Sequence, residues 1–356
     1  MNYLEIDGGQ GEGGGQILRS SLSLSMLTSR PILIRNIRAG RRKPGLMRQH
    51  LVCVEAARAM CGAVTSGAAL GSTELSFVPG EIIPGEYHFA IGSAGSTMLV
   101  LQTILPAMLQ MAQKCQVTLS GGTHNPLAPS ADFFKDCFLP QLHAMGANVQ
   151  FEIVALGLYP AGRGSVTLAT APLVAGTQLA PLSLLQRDGS ARISAHAIVA
   201  GVPDHVAERE LAWLREAYTA GKTKHRLPIN SLCSTQANHT GPGNVLCAGI
   251  RFDNVCEQVT EFGARGLSAE DVAKAARDGL ARYLRSGAVV GEHLADQLLL
   301  PMVLAGGGGE FICSEPSQHL RTNANVIESF GVAKISIEPA ENCLADLPLG
   351  RVAVQT

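Results

Sequence analysis

The chain has 356 residues, of which 46% are hydrophobic and 16% are charged, and its formal net charge at pH 7 is -1. A chain of this length can bury a large core, which predicts two domains or one large domain with an insertion. The near-neutral charge excludes a globally basic nucleic-acid coat, so any contact with RNA or DNA has to come from a local patch.

The nine cysteines are scattered without CxxC pairs, which argues against a disulfide framework or a zinc cluster. The sequence has neither a signal-peptide pattern nor an apolar run of membrane-spanning length. We therefore expect free thiols, a cytoplasmic location and no membrane partner. Low aromatic content with abundant Gly, Ala and Leu is typical of an α/β or α+β enzyme domain.

A glycine-rich turn follows a short strand at residues 3–7 and leads into a helix at residues 17–27, although serines weaken the helical pattern. Such a turn lets phosphate oxygens approach backbone N–H groups; the alternative is a turn that simply needs positive φ. It matches neither a P-loop nor a dinucleotide fingerprint. Glu12 stands alone among the glycines, either as a Mg²⁺ or Mn²⁺ ligand beside a phosphate site or as an exposed turn residue.

The densest basic run, at residues 38–43, lies between a strand at 31–37 and a helix at 46–58. Arginine favours bidentate binding of phosphate oxygens. A solvated loop is the plain alternative, but Pro44 and Gly45 hold the run between strand and helix, which favours an organised anion site.

The pattern of glycine-led apolar helix, strand, polar loop and second helix occurs three times, with starts near residues 13, 92 and 291. The second copy has helix 98–108, strand 115–119 and a helix from Ser130. The third runs through residues 291–304 and strand 310–313 to His319 and a last helix at 324–330. If equivalent loops converge, the basic loop, the glycine turns, residues 293–297 and His319 line one site.

The last interval is longer than the first by more than 100 residues. This excess reads as strand 192–201, helix 206–218, strands at 231–252, and a helix to residue 285 opened by a capping box at Ser268. We predict a small α/β domain at 181–287, inserted into a large catalytic repeat domain formed by 1–180 and 288–356.

His319 is predicted to lie in the turn between the strand and the last helix. An imidazole there can act as base, ligand or nucleophile, or can merely cap the turn. Residues 293–297 place His293, Asp296 and Gln297 at the start of an apolar helix, where Asp296 is either a cap and dipole partner or part of a ligand-facing cluster. The histidines lack the HxxxH and HExxH spacings, so we expect no zinc site.

Taken together, these residues resemble the RNA 3′-terminal phosphate cyclase family. The matching motifs run nearly end to end, at residues 7–19, 38–46, 49–51, 92–96 (Gly-Ser-Ala-Gly-Ser), 121–123, 205–208, 293–297 (His-Leu-Ala-Asp-Gln), 319 and 322–323. The resemblance implies an α/β (α+β) fold of three repeated βαβαββ-like units, with the smaller α/β domain inserted before the third repeat.

The resemblance also implies an activity: ATP-dependent conversion of an RNA 3′-terminal phosphate to a 2′,3′-cyclic phosphate, through a histidine–AMP and an RNA(3′)pp(5′)A intermediate. It implies His319 as the catalytic nucleophile and Glu12 as the ligand of Mg²⁺ or Mn²⁺. The residues implied to bind phosphates of ATP or the RNA end are Arg19, Arg38, Arg41 and Gln49, and those implied to line the nucleotide are Gln102, His293, Leu294, Ala295, Asp296 and Gln297, with Phe262 against the adenine.

One departure from the family pattern is Arg163. The family has Tyr-Pro-x-Gly-Gly-Gly where this chain has Arg163 between Gly162 and Gly164, and an arginine is costly wherever positive φ is required. Two rivals are a non-catalytic, ribosome-assembly scaffold of the same family, which lacks the nucleophilic histidine, and an enolpyruvyl transferase, which has a related repeated architecture and needs no such histidine.

Overall fold

Alternating apolar residues along short strands build four four-stranded sheets. The structure is a computed structural model, and it describes residues 2–174, 176–219, 226–237, 241–340 and 348–356. Of the strand region predicted at 231–252, residues 238–240 therefore lie outside the described part, as does Cys343.

Three sheets share one topology. In each, the first strand pairs in parallel with the second, the second antiparallel with the fourth, and the fourth antiparallel with the third. Helices connect the first strand to the second and the second to the third, so each unit has the order βαβαββ. The predicted α/β (α+β) fold with three repeated βαβαββ-like units is confirmed.

The elements of the first repeat are β1 (Leu4–Asp7), α1 (Gly15–Thr28), β2 (Ile32–Arg35), α2 (Arg48–Cys61), β3 (Val64–Ser66) and β4 (Leu75–Val78). Those of the second are β5 (Glu86–Ala90), α3 (Thr97–Met108), β6 (Cys115–Gly121), α4 (Ala131–Phe133), a π-helical segment (Phe134–Phe138), α5 (Leu139–Ala144), β7 (Asn148–Ala155) and β8 (Gly164–Ala171).

The third repeat begins with β9 (Leu182–Leu184). The fourth sheet and its helices come next: β10 (Arg192–Ala200), α6 (His205–Thr219), β11 (Ile229–Gln236), β12 (Gly243–Arg251), β13 (Cys256–Phe262) and α7 (Ala269–Ser286). The third repeat then continues with α8 (Glu292–Leu304), β14 (Gly309–Ser314), α9 (Gln318–Ser329), β15 (Lys334–Pro339) and β16 (Leu349–Gln355).

The short strand β9 bears on where the inserted domain begins. Leu182 pairs with Gly309 and Leu184 with Phe311, in parallel, so β9 is the first strand of the third sheet. We therefore propose that the inserted domain starts after Leu184, between the first strand and the first helix of the third repeat. The limits 1–180, 181–287 and 288–356 otherwise remain a prediction.

Helix α1 packs against α2, α3 and α9 and is buried along most of its length. Its serines, which weakened the helical pattern, are buried as well. Ser23 Oγ donates to Thr103 O at 2.6 Å, and Ser20 Oγ donates to Asn323 Oδ1 at 2.6 Å. Small side chains that hydrogen-bond across helices allow α3 and α9 to approach closely, which joins all three repeats around α1.

Among the described residues, no helix combines the length and the hydropathy needed to cross a bilayer.

Candidate functional site

His319 lies inside the first turn of α9, as its second residue, and not in the turn before it as predicted. The helix starts ahead of the apolar pattern at 324–330 because Ser317 caps it: Ser317 Oγ accepts from Leu320 N at 3.2 Å. The side chain of His319 is 50% exposed, so its ring is open to a reactant.

The carboxylate that faces His319 is that of Glu12. His319 Nε2 lies 3.9 Å from Glu12 Oε2. The Arg41 guanidinium donates to the same oxygen, and Gln16 N donates to Oε1 at 3.4 Å. Only 7% of the Glu12 side chain is exposed, so Glu12 is held within the cluster and is not a free turn residue.

The glycine-rich turn is held against α9 one helical turn after His319. Glu12 N donates to Thr322 Oγ1 at 3.2 Å, and Gly11 has φ 56°. A methyl group at Gly11 would collide with Thr322 Oγ1. Glycine is required here for its conformation and for close approach to α9, and together these bring Glu12 to His319.

The arginines implied to bind phosphate differ in their surroundings. Arg38 has φ 57° and donates from Nη1 to Lys43 O and Gly45 O, each at 2.8 Å. Arg19 is buried and donates to Gln16 Oε1 at 2.8 Å. Burial lowers the pKa of the Arg19 guanidinium, an effect opposed by Cys53, Asp296 and Glu12. The guanidinium of Arg41 reaches Gly14 and that of Arg19 reaches Gly15, so both lie beside the glycine turn.

Gln49 and His50, at the start of α2, join this cluster to the second repeat. Gln49 Oε1 accepts from Ser96 N, the N-cap residue of α3, at 2.7 Å. His50 Nδ1 accepts from Met47 N at 3.3 Å, which assigns the hydrogen of the neutral ring to Nε2. Burial is the largest cause of a lowered pKa for His50, to about 3, and the positive charges of Arg38, Arg19 and Arg41 lower it further. His50 is therefore a neutral donor; sequence reasoning gave it no role, although it adjoins Gln49.

A small pocket, with a cavity volume of about 30 Å³, opens beside this cluster. It brings together three of the residues implied to line the nucleotide: Gln102, Asp296 and Gln297. Leu294 and Ala295 are buried and do not line it, and His293 is exposed on α8 outside it. The full lining is Gln16, Arg19, Ser20, Gln102, Leu105, Pro106, Leu109, Phe138, Asp296, Gln297, Leu300, Pro301 and Asn323.

The aromatic ring of the pocket is Phe138 and not Phe262. Phe262 packs against a small apolar cluster that Leu158 forms with residues of the inserted sheet, among them Ile198 and Val245. Phe138 ends the π-helical segment, which sequence reasoning read as part of an ordinary helix from Ser130. The pairing of Phe262 with an adenine therefore has no support from the pocket.

Several polar atoms on the pocket wall lack a hydrogen-bond partner within the described part of the chain. They are Arg19 Nε, Gln102 Oε1 and Gln297 Oε1, all buried. Burial raises the pKa of Asp296 to about 7, although Arg19 opposes the shift. Asn323 Nδ2 donates to Asp296 O at 2.8 Å. Because buried polar groups are normally paired, these unpaired atoms make the wall a candidate ligand surface.

A second cluster of histidines, which sequence reasoning missed, joins the second repeat to the inserted sheet. His124 Nε2 lies 2.7 Å from Asp132 Oδ2, and His196 Nδ1 lies 3.2 Å from Asp132 Oδ1. The other ring nitrogens bond the hydroxyls of Thr123 and Thr235, each at 2.8 Å. The hydrogen bonds from both histidines hold the pKa of Asp132 well below its usual range, although burial opposes this.

The cysteines and one group of potential metal ligands were also located in the structure. The eight cysteines of the described residues are all free. The potential ligands His124, Asp132 and Cys247 lie near one another, within 4.8 Å. His124 and Asp132 are already bonded to each other, which accounts for them without an ion.

Comparisons with known proteins agree along nearly the whole chain. The family model of RNA 3′-terminal phosphate cyclase matches residues 10–337. Two curated proteins named RNA 3′-terminal phosphate cyclase are each 48% identical to this chain. The first, from Salmonella agona, aligns over 337 residues, 95% of this chain and 94% of its own length. The second, from Pseudomonas fluorescens, aligns over 340 residues, 95% of each chain.

This extent of similarity excludes the enolpyruvyl transferases as the family of the chain, and the resemblance read from the motifs is confirmed. The chain belongs to the RNA 3′-terminal phosphate cyclase family.

Proposed function

We propose that the protein converts the 3′-terminal phosphate of RNA to a 2′,3′-cyclic phosphate at the expense of ATP. The observation that carries the proposal is the approach of His319 Nε2 to Glu12 Oε2, 3.9 Å apart, beside Arg41 and the polar pocket. An exposed imidazole next to cations and a pocket with polar side chains suits nucleotidyl transfer.

The nucleoside of ATP is proposed to bind at the mouth of the pocket between α1, α3 and α8. Phe138 and Pro106 supply apolar surface, and the unpaired atoms of Gln102 and Gln297 supply polar contacts. The phosphates then extend toward Arg19 and the glycine turn. This arrangement leaves the α-phosphorus next to His319.

In the first step, His319 Nε2 attacks the α-phosphorus, an N–P bond forms, and the bond to pyrophosphate breaks. The proton of the imidazole is lost and the leaving pyrophosphate carries the electron pair. Arg19 and Arg41 are proposed to stabilise the charge on the phosphate oxygens. The phosphoramidate is labile enough to pass AMP to a second acceptor.

In the second step, an oxygen of the RNA 3′-phosphate attacks the same phosphorus and frees His319, which gives RNA(3′)pp(5′)A. In the third, the neighbouring 2′-hydroxyl attacks the RNA phosphorus. AMP leaves with the electron pair of the broken P–O bond, and the hydroxyl proton is released. Arg38 and Gln49 are proposed to hold the RNA phosphate during both steps.

Glu12 fits a divalent cation. Mg²⁺ and Mn²⁺ are held by one or two carboxylates together with substrate phosphates, and Glu12 offers a nearly buried carboxylate next to the proposed phosphate site. Such an ion would neutralise phosphate charge. Arg41 already contacts this carboxylate, so it is poised to exchange between Glu12 and a phosphate.

The partners proposed are RNA with a 3′-phosphate end and ATP. The free thiols support a reducing, cytoplasmic location.

The test uses an RNA oligonucleotide that is labelled at its 5′ end and carries a 3′-phosphate. We expect wild-type protein with ATP and Mg²⁺ to convert it to a species whose terminal phosphate is resistant to phosphatase. We expect no conversion without ATP. Unchanged RNA with ATP and either Mg²⁺ or Mn²⁺ would overturn the proposal and favour the scaffold function.

A further inference from the structure

The turn at residues 158–163 carries the one arginine that departs from the family pattern. Leu158 O accepts from Gly162 N at 2.7 Å, which closes the turn. Gly162 has φ 69° and Arg163 has φ 61°. An arginine in the left-handed region is disfavoured relative to glycine, so nothing in the local backbone explains why Arg163 is present.

This turn packs on the loop at 92–96 that leads to the proposed phosphate site. A methyl group at Gly162 would lie 2.9 Å from Ala94 Cα and 3.1 Å from Ser93 O, so the backbones are in contact. Two residues further along this loop, Ser96 N donates to Gln49 Oε1 at 2.7 Å. A short series of contacts therefore joins the turn to the residue proposed to hold the RNA 3′-phosphate.

The turn presents two unused side chains to solvent. Tyr159 is 59% exposed. Arg163 is exposed and, within the described residues, makes no hydrogen bond or ion pair. Asn125 Nδ2 donates to Ala94 O, and Leu127, two residues further along the same loop, is 96% exposed. An aromatic ring and an exposed guanidinium on one turn form a surface suited to single-stranded nucleic acid.

We propose that Tyr159 and Arg163 bind the RNA strand immediately upstream of its 3′ end. This inference rests on the proposed function. The Tyr159 ring stacks on a base and Arg163 contacts a backbone phosphate. Stacking and phosphate contacts carry no base code, so the surface accepts any sequence and positions the end over Gln49.

The test measures binding of a fluorescent decanucleotide with a 3′-phosphate, without ATP, as a function of salt concentration. Arg163→Gly restores the residue favoured by the backbone, so the variant is expected to fold. Removing one phosphate contact from a single strand should reduce the slope of log Kd against log salt by about 0.7. Tyr159→Ala should weaken binding by roughly 5- to 100-fold with an unchanged slope, and Tyr159→Phe should bind like wild type.

The matched control is Arg58→Ala. Arg58 is an exposed arginine ten residues beyond Arg48 on α2, about 15 Å along the helix. Wild-type affinity and slope in both Arg163→Gly and Tyr159→Ala would overturn the proposal. A slope change in Arg58→Ala equal to that in Arg163→Gly would overturn it too, because the effect would then be one of net charge.

A second readout separates this inference from the proposed function. Labelling of the protein by ATP alone should be the same in wild type, Arg163→Gly and Tyr159→Ala. If wild type is labelled and cyclises RNA while the variants bind RNA normally, only the upstream surface is refuted. If wild type does neither, the proposed function itself has failed.

Discussion

Two clusters of histidine and carboxylate differ in one respect, the use of their ring nitrogens. Around Asp132, both nitrogens of His124 and of His196 lie within hydrogen-bonding distance of a protein oxygen. At Glu12, the His319 ring stops 3.9 Å from the carboxylate and makes no hydrogen bond within the described residues. In the first cluster every ring nitrogen has a protein partner, whereas in the second the imidazole of His319 has no hydrogen-bond partner within the described residues.

The difference teaches that residue type alone does not locate a site. A buried cluster whose polar groups are paired stabilises the packing of the second repeat on the inserted sheet. A cluster with an open ring, next to a pocket wall with unpaired polar atoms, is arranged for a ligand. The two clusters therefore predict different consequences of mutation: loss of activity at His319 and loss of stability at Asp132.

The largest effect is expected at His319. His319→Ala should lower the rate of RNA cyclisation by about a thousandfold or more, because the covalent route is lost. Thermal unfolding should be unchanged, since the side chain is half exposed. His88→Ala, an exposed histidine on β5, serves as the control; an equal loss there would remove the distinction between the two residues.

Asp132→Ala should act on stability instead. Removing the shared carboxylate leaves two histidines without their acceptor, which should lower the free energy of unfolding by about 3–5 kcal/mol. Urea unfolding measures this, with the exposed Asp188→Ala as control. Cyclisation per folded molecule should stay near wild type. A variant of normal stability and no activity would place Asp132 in the active site.

The pH dependence of stability should have opposite signs at Asp132 and Asp296. The pKa of Asp132 is depressed in the folded state, so its contribution is present above the ordinary value of 3.8 and is lost as pH falls below it. The pKa of Asp296 is raised to about 7, so its contribution is present below 3.8 and is lost as pH rises toward 7.

Urea unfolding from pH 3 to 8 checks both signs. Relative to wild type, Asp132→Asn should lose less stability in acid, and Asp296→Asn should lose less between pH 4 and 7. Parallel curves for wild type and both variants would contradict the assignment.

The smallest effect is expected at Thr235. Thr235→Val removes the hydroxyl bonded to His196 Nε2, but this residue is only partly buried and water can replace it. We expect a loss of about 1 kcal/mol in urea unfolding. A loss as large as that of Asp132→Ala would mean that the hydrogen bond between Thr235 and His196 contributes most of the stability of this cluster.

Local sequence patterns predicted the repeats because each repeat is built from short-range signals. Glycine turns, apolar helices and the Ser268 cap all act over a few residues, and α7 begins after Ser268 as expected. The start of α9 was predicted too late because the residues that follow the N-cap Ser317 are polar, and a polar stretch is typical of a loop.

The contacts that complete the site could not be read from such patterns. Ser20 and Asn323 are 303 positions apart, and Asp132 and His196 are 64 apart. The place of Phe138 on the pocket wall has the same origin, because only tertiary packing decides which apolar ring faces the pocket. The proposed role of His319 comes from the family motifs, and only the structure shows that Glu12, held by Thr322, lies beside it.

The central claim is that His319 Nε2 accepts AMP. The most direct measurement is incubation of wild type and His319→Ala with α-labelled ATP and Mg²⁺ or Mn²⁺, followed by denaturing gel, acid treatment and mapping of the labelled peptide. We predict acid-labile label on wild type, on the peptide that contains His319, and none on the variant. Label retained by His319→Ala, or no label on wild type with either metal, would contradict the account.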